Sequence, residues 1–218
     1  MDFKKLDIKI ISFDIDGTLV KMEFNDFIWY QAVPNLVAQK ENRPFEEAYI
    51  KVVNEYNKIG EHDLRWYDLG FWLDFFNISI SSKDLLMSHI DKIKIFPEVV
   101  STLNFLKNRY NLIVLTSMPK DFLDIKIKPI ESFFSNYFST ISNFSQIKNV
   151  SSYKKVFNLL SIRPHEFLHI GDHWEFDYLA CKEAGGNSIF LNRDGRNKNH
   201  TKSEEVIYNL KELLRYVK

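Results

Sequence analysis

The amino-acid sequence predicts an α/β fold: a Rossmann-like parallel sheet flanked by helices, with an α-helical segment inserted early in the chain. Three observations lead there. Short apolar runs end in polar turns at Ile8 to Phe13, Leu112 to Leu115, Phe167 to Ile170 and Ser188 to Leu191. Helical periodicity fills the spaces between the later runs. The stretch from Lys21 to about Ile95 has helical periodicity and few strand signals. Strands that alternate with helices are covered on both faces, which is why such runs are apolar throughout rather than alternating.

The elements follow in order. Ile8 to Phe13 is rich in isoleucine and closes on the acidic turn Asp14 to Thr18, as a buried strand ending in a functional loop does. In the insertion, aromatics including Phe24, Trp29, Tyr56, Trp66, Trp72 and Phe76 recur at spacings that suit three or four packed helices with their own small core. Pro97 to Arg109 opens with a proline near a helix start, and Tyr137 to Ser142 is a weaker strand candidate. Ser152 to Leu160 places Tyr153, Val156, Phe157 and Leu160 on one helical face. A helix from about Glu175 to Ala184 stops at Gly185 and Gly186, and its Cys181 reads as core packing. Asp194 to Lys202 is polar enough for an exposed loop, and Ser203 to Tyr216 is expected to form a last amphipathic helix through Val206, Ile207, Leu210, Leu213 and Leu214. The expected organisation is an α/β core of residues 1–20 and 96–218 carrying a helical domain of residues 21–95.

Composition narrows the function classes. At 218 residues the chain can bury a substantial core. Lys plus Arg and Asp plus Glu number 29 each, so no global field steers it toward nucleic acid or an anionic membrane. Any anion it binds must be held locally. Met1 to Leu6 is charged, and Ile8 to Phe13 is too short for a signal or spanning helix. One cysteine allows no internal disulfide, which fits a cytoplasmic protein.

The chemistry lies at strand ends. Residues two apart in an extended segment project to the same side, so Asp14 and Asp16 can share a site at the carboxyl end of the first strand, where ligands collect in open parallel sheets. Gly17 permits a tight departure of the backbone. A second acidic pair, Asp172 and Asp177, follows another apolar strand and opens another helix. Two acidic strand ends in one sheet suggest a hard cation, and magnesium prefers such oxygens, usually with a substrate phosphate completing its shell. Carboxylates alone would repel phosphate. Thr116 and the amide of Ser117 can supply donors, and Lys148 a positive charge.

These residues and their order resemble the haloacid dehalogenase superfamily: Asp14-Ile15-Asp16-Gly17-Thr18 is similar to its first motif, Thr116 to its second, Lys148 to its third, and Gly171-Asp172 through Asp177 to its fourth. The resemblance implies a phosphatase in which Asp14 attacks phosphorus to form an aspartyl-phosphate and Asp16 acts as acid and then base. It implies magnesium held by Asp14, the Asp16 carbonyl and Asp172, with Asp177 supporting the metal waters or Lys148. Gly17, Thr116, Ser117 and Lys148 would hold the phosphate. The chain departs from the family's common form at Asn149, where proline is frequent, and at Ser117, where asparagine is frequent.

The insertion's place resembles the helical cap of many members, and His62, Arg65, Trp66, Tyr67 and Asp68 form a polar and aromatic run in it that is a candidate to reach the site. His173 and Trp174 receive no catalytic role. The expected substrate is a small phosphorylated metabolite, with neither nucleic acid nor membrane as partner. Alternatives include a phosphomutase of the same fold and, from a different class, a non-catalytic phosphate-binding or signalling protein. Dehalogenation would not need Asp16, and phosphonate hydrolysis would need a lysine such as Lys40, Lys51 or Lys58 from the insertion.

Overall fold

The apolar runs become strands of a single sheet in the computed structural model, which describes residues 7–193, 195 and 205–217. β1 (Ile10–Phe13) is followed by a helical segment: α1 (Glu23–Phe27), a π-helical stretch Ile28–Ala32, α2 (Val33–Glu41), α3 (Phe45–Ile59), a 3-10 turn Leu64–Tyr67, α4 (Leu69–Phe75) and α5 (Ser82–Met87). The alternating part comprises α6 (Val99–Leu106), β2 (Asn111–Thr116), α7 (Lys120–Lys126), β3 (Asn136–Ser139), α8 (Thr140–Phe144), α9 (Val150–Leu159), β4 (Phe167–Gly171), π-helical Trp174–Leu179, α10 (Ala180–Glu183) and β5 (Asn187–Leu191). β6 (Val206–Ile207) and a 3-10 helix Leu210–Arg215 end the described chain.

All strand pairs are parallel, in the order β3-β2-β1-β4-β5-β6. The order reverses at β1, whose neighbours are β2 and β4, so the crevice beyond its carboxyl end lies at the switch point where open α/β sheets bind ligands. Asp14 stands there. β1 is buried at every position, so its register is fixed on both faces, and Ser12 falls opposite His169 of β4.

The helical segment leaves and rejoins the sheet through paired backbone. Val20 bridges Ile95, Lys21 N donates to Lys94 O at 2.8 Å, and Phe96 N donates to Leu19 O at 3.1 Å. Phe24, Val52, Tyr56 and Trp72 are buried and belong to the same apolar cluster as Phe13, Val114 and Phe122. Trp72 packs edge-on to Tyr56 at 4.6 Å between ring centres. Among the described residues no helix is long and apolar enough to cross a membrane.

The C-terminal segment differs from its expected helix. Val206 and Ile207 extend the sheet beside Phe190 and Leu191, and only Leu210–Arg215 coils. The apolar spacing is satisfied by two separate burials: Ile207, Leu210 and Leu213 are all inaccessible. The exposed edge of β5 is the reason, because unpaired strand groups there gain a partner that helix formation would forgo. The expected loop Asp194 to Lys202 lies outside the described residues except for Gly195. Cys181 is buried and its thiol donates to Asn187 O at 3.2 Å.

Candidate active site

Two strand ends supply the acids and one loop the lysine. The backbone must turn sharply after Asp14, and Gly17 does so with φ +68°; a Cβ there would sit 2.0 Å from Asp172 Oδ2. Gly171 is required by the same crowding, since its Cβ would meet Asp177 Oδ2 at 2.2 Å. These glycines let the first and fourth acidic segments touch. Carboxylate oxygens of Asp14, Asp172 and Asp177 consequently lie within 4.8 Å of one another. Thr18 Oγ1 donates to Asp172 Oδ1 at 3.5 Å.

Lys148 enters between them. Its Nζ donates to Asp14 Oδ1 at 2.7 Å and also to Asp177 Oδ1, and the lysine is almost wholly buried. Its backbone is held at both sides: Lys148 N donates to Ser117 Oγ at 2.9 Å, and Asn149 caps α9 by accepting from Ser152 N at 3.0 Å while donating its own N–H to Ser152 Oγ at 2.9 Å. Asn149, a departure from the common motif, thus anchors the lysine by a reciprocal cap. Lys154 and Lys155 are exposed on the outer face of α9.

Electrostatics follow from this crowding. Burial raises the Asp14 carboxyl to about 6; Lys148 opposes the rise and Asp177 adds to it. Asp172 opens to the cavity, but the surrounding protein strips much of its water, and the Asp14 and Asp177 charges push it further above the ordinary carboxylate range. Burial would raise Asp177 too, yet Lys148 and His169 hold it well below. Burial opposes the Lys148 charge, and Asp14 and Asp177 outweigh it, keeping the ammonium.

Asp14, Asp16, Thr116, Ser117, Lys148, Asp172 and Asp177 all line one cavity of about 310 Å³. Gly17 abuts it through Asp172. Thr116 Oγ1 accepts from Met118 N at 3.2 Å, so its own proton remains for another acceptor. Trp66 and Tyr67 reach the cavity, whereas His62, Arg65 and Asp68 do not line it: Arg65 pairs with Asp63, and Asp68 caps α4 through Phe71 N. His173 is at the wall, its ring stacked on Phe176 at 4.1 Å. Lys40, Lys51 and Lys58 bond to Asn77 O, Glu41 and Glu55, away from the lining.

A family model for haloacid dehalogenase-like hydrolases matches residues 8–185, and that span contains every residue just placed. The chain belongs to the haloacid dehalogenase-like hydrolases. Among solved structures of this fold, it superposes on a HAD phosphatase from Thermococcus onnurineus with a TM-score of 0.84, at 24% identity over 94% of this chain and 96% of the other. A predicted phosphoglycolate phosphatase from Haemophilus somnus 129pt gives a TM-score of 0.69 at 17% identity, over 97% and 98% of the two chains. In sequence, it is similar to the GMP/IMP nucleotidase YrfG of Escherichia coli strain K12, 28% identical over 74 residues, a stretch that spans only 34% of this chain and 33% of that relative.

In this haloacid dehalogenase-like chain, four residues that brace the site, Lys126, Asn25, His169 and Arg193, escaped the sequence reading. Lys126, at the end of α7, is fully buried and donates from Nζ to Asp16 Oδ1 at 2.5 Å and to Asn25 Oδ1. Asn25 of α1 in turn donates from Nδ2 to Asp16 Oδ2. Lys126 shares the apolar face of Phe122, Leu123 and Ile130, and a lysine in such a stripe was the available signal. Asn25 carried none.

The buried His169 joins Ser12 Oγ to Asp177 Oδ1, each at 3.0 Å. Burial pushes its pKa down to about 4, so the ring is neutral, with Nε2–H donating to the carboxylate and Nδ1 accepting from Ser12. Two polar residues at one register of neighbouring apolar strands was the signal. Arg193 bonds Gly17 O at 3.0 Å, Thr18 O at 2.6 Å and Glu98 Oε1 at 2.6 Å, clamping the acidic turn from behind.

Proposed function

We propose that the chain is a magnesium-dependent phosphomonoesterase acting on a small phosphorylated metabolite through an aspartyl-phosphate at Asp14. The observation that carries this reading is the meeting of Asp14, Asp172 and Asp177 around Lys148 at the carboxyl end of β1. The donor set is all oxygen; burial raises Asp14 and Asp172 and the neighbouring carboxylates add to the rise, which is the condition a hard divalent cation relieves. We assign the ion to Asp14, the Asp16 carbonyl and Asp172, with Asp177 supporting it; when bound, magnesium neutralises charge between the carboxylates and the phosphate.

The chain's own groups do the rest. With Oδ1 held by Lys148, Oδ2 of Asp14 attacks phosphorus, and the bond to the ester oxygen breaks. Asp16 gives that oxygen a proton, then takes one from the water that cleaves the aspartyl-phosphate. Lys148, Thr116 and the Ser117 amide spread the charge on the remaining oxygens. Asp177 is the hinge of the arrangement: it accepts from Lys148, His169 and His173 N, and so fixes the ammonium.

We divide the chain into a catalytic core of residues 1–20 and 96–218 and a helical cap of residues 21–95, supported by the paired backbone at Val20 and Ile95. Closure of such a cap excludes bulk water from the site. The lone, buried Cys181 supports a reducing, cytoplasmic setting. The test is release of inorganic phosphate from p-nitrophenyl phosphate with magnesium. Turnover is expected to vanish with EDTA and to fall by at least about 10⁴-fold in Asp14→Asn, the scale of losing a covalent nucleophile. Undiminished turnover in Asp14→Asn would remove the nucleophile assignment, and transfer to a sugar phosphate without phosphate release would make the enzyme a mutase.

A further inference from the structure

We propose that the cavity selects phosphomonoesters whose leaving group ends in a planar, uncharged ring bearing N–H donors, the chemistry of a nucleoside 5′-monophosphate, and rejects leaving groups with a second anionic group. The proposal rests on the phosphatase reading above and adds to it the identity of the part that departs.

Beyond the phosphate-binding end, the cavity wall is aromatic. Trp29, Trp66, Tyr67, Phe122 and Phe176 line it. The rings are braced by one another: Trp29 stacks on Phe122 at 5.8 Å and 9°, and Tyr56 stands edge-on behind Trp29 at 5.7 Å and beside Trp66 at 6.2 Å. Rings fixed in this way offer flat contact area without losing side-chain freedom when a ligand arrives. An aliphatic polyol would leave these faces unused.

Charge decides what the ring can carry. The other ionisable groups on this part of the lining are the acids Asp26 and Glu61, the phenols Tyr30 and Tyr67, and His173, whose Nδ1 already accepts from Phe176 N. Lys148 is the one lysine or arginine in the lining among the described residues, and it is already bonded to Asp14 and Asp177. Neighbouring cations are also committed, Arg65 to Asp63 and Lys126 to Asp16 and Asn25. A carboxylate or second phosphate on the leaving group would therefore face two acids with no uncommitted lysine or arginine in the lining to receive it. The same two acids accept from ring N–H or exocyclic amino groups, which a nucleobase presents.

The experiment compares kcat/KM of the full chain, with magnesium, for guanosine 5′-monophosphate, 2-phosphoglycolate and p-nitrophenyl phosphate. The nucleotide is expected to exceed phosphoglycolate by at least about tenfold, a difference one pocket can supply. Glu61→Lys, at an exposed position, is expected to shrink that ratio about threefold or more by placing a cation at the rim. Tryptophan fluorescence should be quenched saturably by guanosine and not by glycolate. Phosphoglycolate turned over as well as the nucleotide, or a ratio unmoved by Glu61→Lys, would overturn the proposal. Inactivity on all three esters would instead sink the phosphatase reading, and absence of guanosine quenching would then sink the ring-binding site as well.

Discussion

Asp14 and Asp16 stand two residues apart on one turn, and each bonds a buried lysine, but the two lysines come from different parts of the fold. Lys148 comes from the loop before α9 and shares its charge between Asp14 and Asp177. Lys126 comes from the last turn of α7 and, with Asn25, occupies both oxygens of Asp16. The first pair sits among four charged groups at the sheet edge. The second ties that edge to α1 of the helical segment, so the orientation of the proposed acid depends on where that segment rests. The proposed nucleophile is held by the sheet's own loops, and its proposed partner by two helices, α7 and α1.

The sharpest way to break the comparison is to remove the shared cation. Lys148→Met leaves Asp14 and Asp177 facing one another without a counter-ion, and breaking a buried pair in this manner costs about 3–5 kcal/mol of stability. Turnover of p-nitrophenyl phosphate is expected to fall by about 10²–10³-fold as a phosphate donor is lost. Denaturant unfolding and steady-state kinetics measure the two effects. Activity within a few-fold of the parent would mean that Lys148 serves only to neutralise the acids.

Lys126→Met sharpens the contrast from the other side. As a positioning residue, Lys126 acts through Asp16, so kcat is expected to drop about 10–100-fold with KM little changed, in line with what small misplacements of a reacting group cost. The double variant with Asp16→Asn should be no slower than Asp16→Asn alone, because residues acting through one group are not additive. Additive losses would show that Lys126 works independently of Asp16.

This asymmetry also marks what the sequence made legible. The sheet, apart from β6, and the acids at its edge could be read because strand ends and their turns are local in sequence: apolar run, carboxylate, glycine. Lys148 was found by its order relative to those ends. Lys126 and Asn25 were not, because their partners lie 110 and 9 residues away and no turn or period announces the contact. His169 and Ser12 are intermediate cases, each a polar residue in a buried strand that becomes meaningful only once register pairs them. The C-terminal segment was misread for the converse reason, since a helical spacing of apolar residues was used by a strand and a short coil whose choice depended on the free edge of β5.

Arg193 gives the smallest and most selective test, because it touches the same turn through backbone carbonyls and neither carboxylate. Its partner Glu98 is buried, which alone would raise the carboxyl; the hydrogen bond and charge of Arg193, together with backbone N–H groups, outweigh burial and lower it below the ordinary 4.5. A depressed carboxyl contributes stability that is fully present above its unfolded value and is lost as pH falls through the folded one. The pair should thus support the fold at neutral pH and fade below about pH 4.5. Glu98→Gln is expected to lower stability at pH 7 by about 1–3 kcal/mol, the range for a hydrogen bond to a charged group, and to make the acid limb of the stability curve shallower. Because Arg193 still reaches Gly17 and Thr18, kcat should change less than twofold to threefold, roughly the size of a small positional shift. A parallel acid limb in the parent and Glu98→Gln would show that the pair is not what acid removes, and a kcat loss as large as that of Lys126→Met would place the clamp on the turn, rather than the lysine on the carboxylate, in control of Asp16.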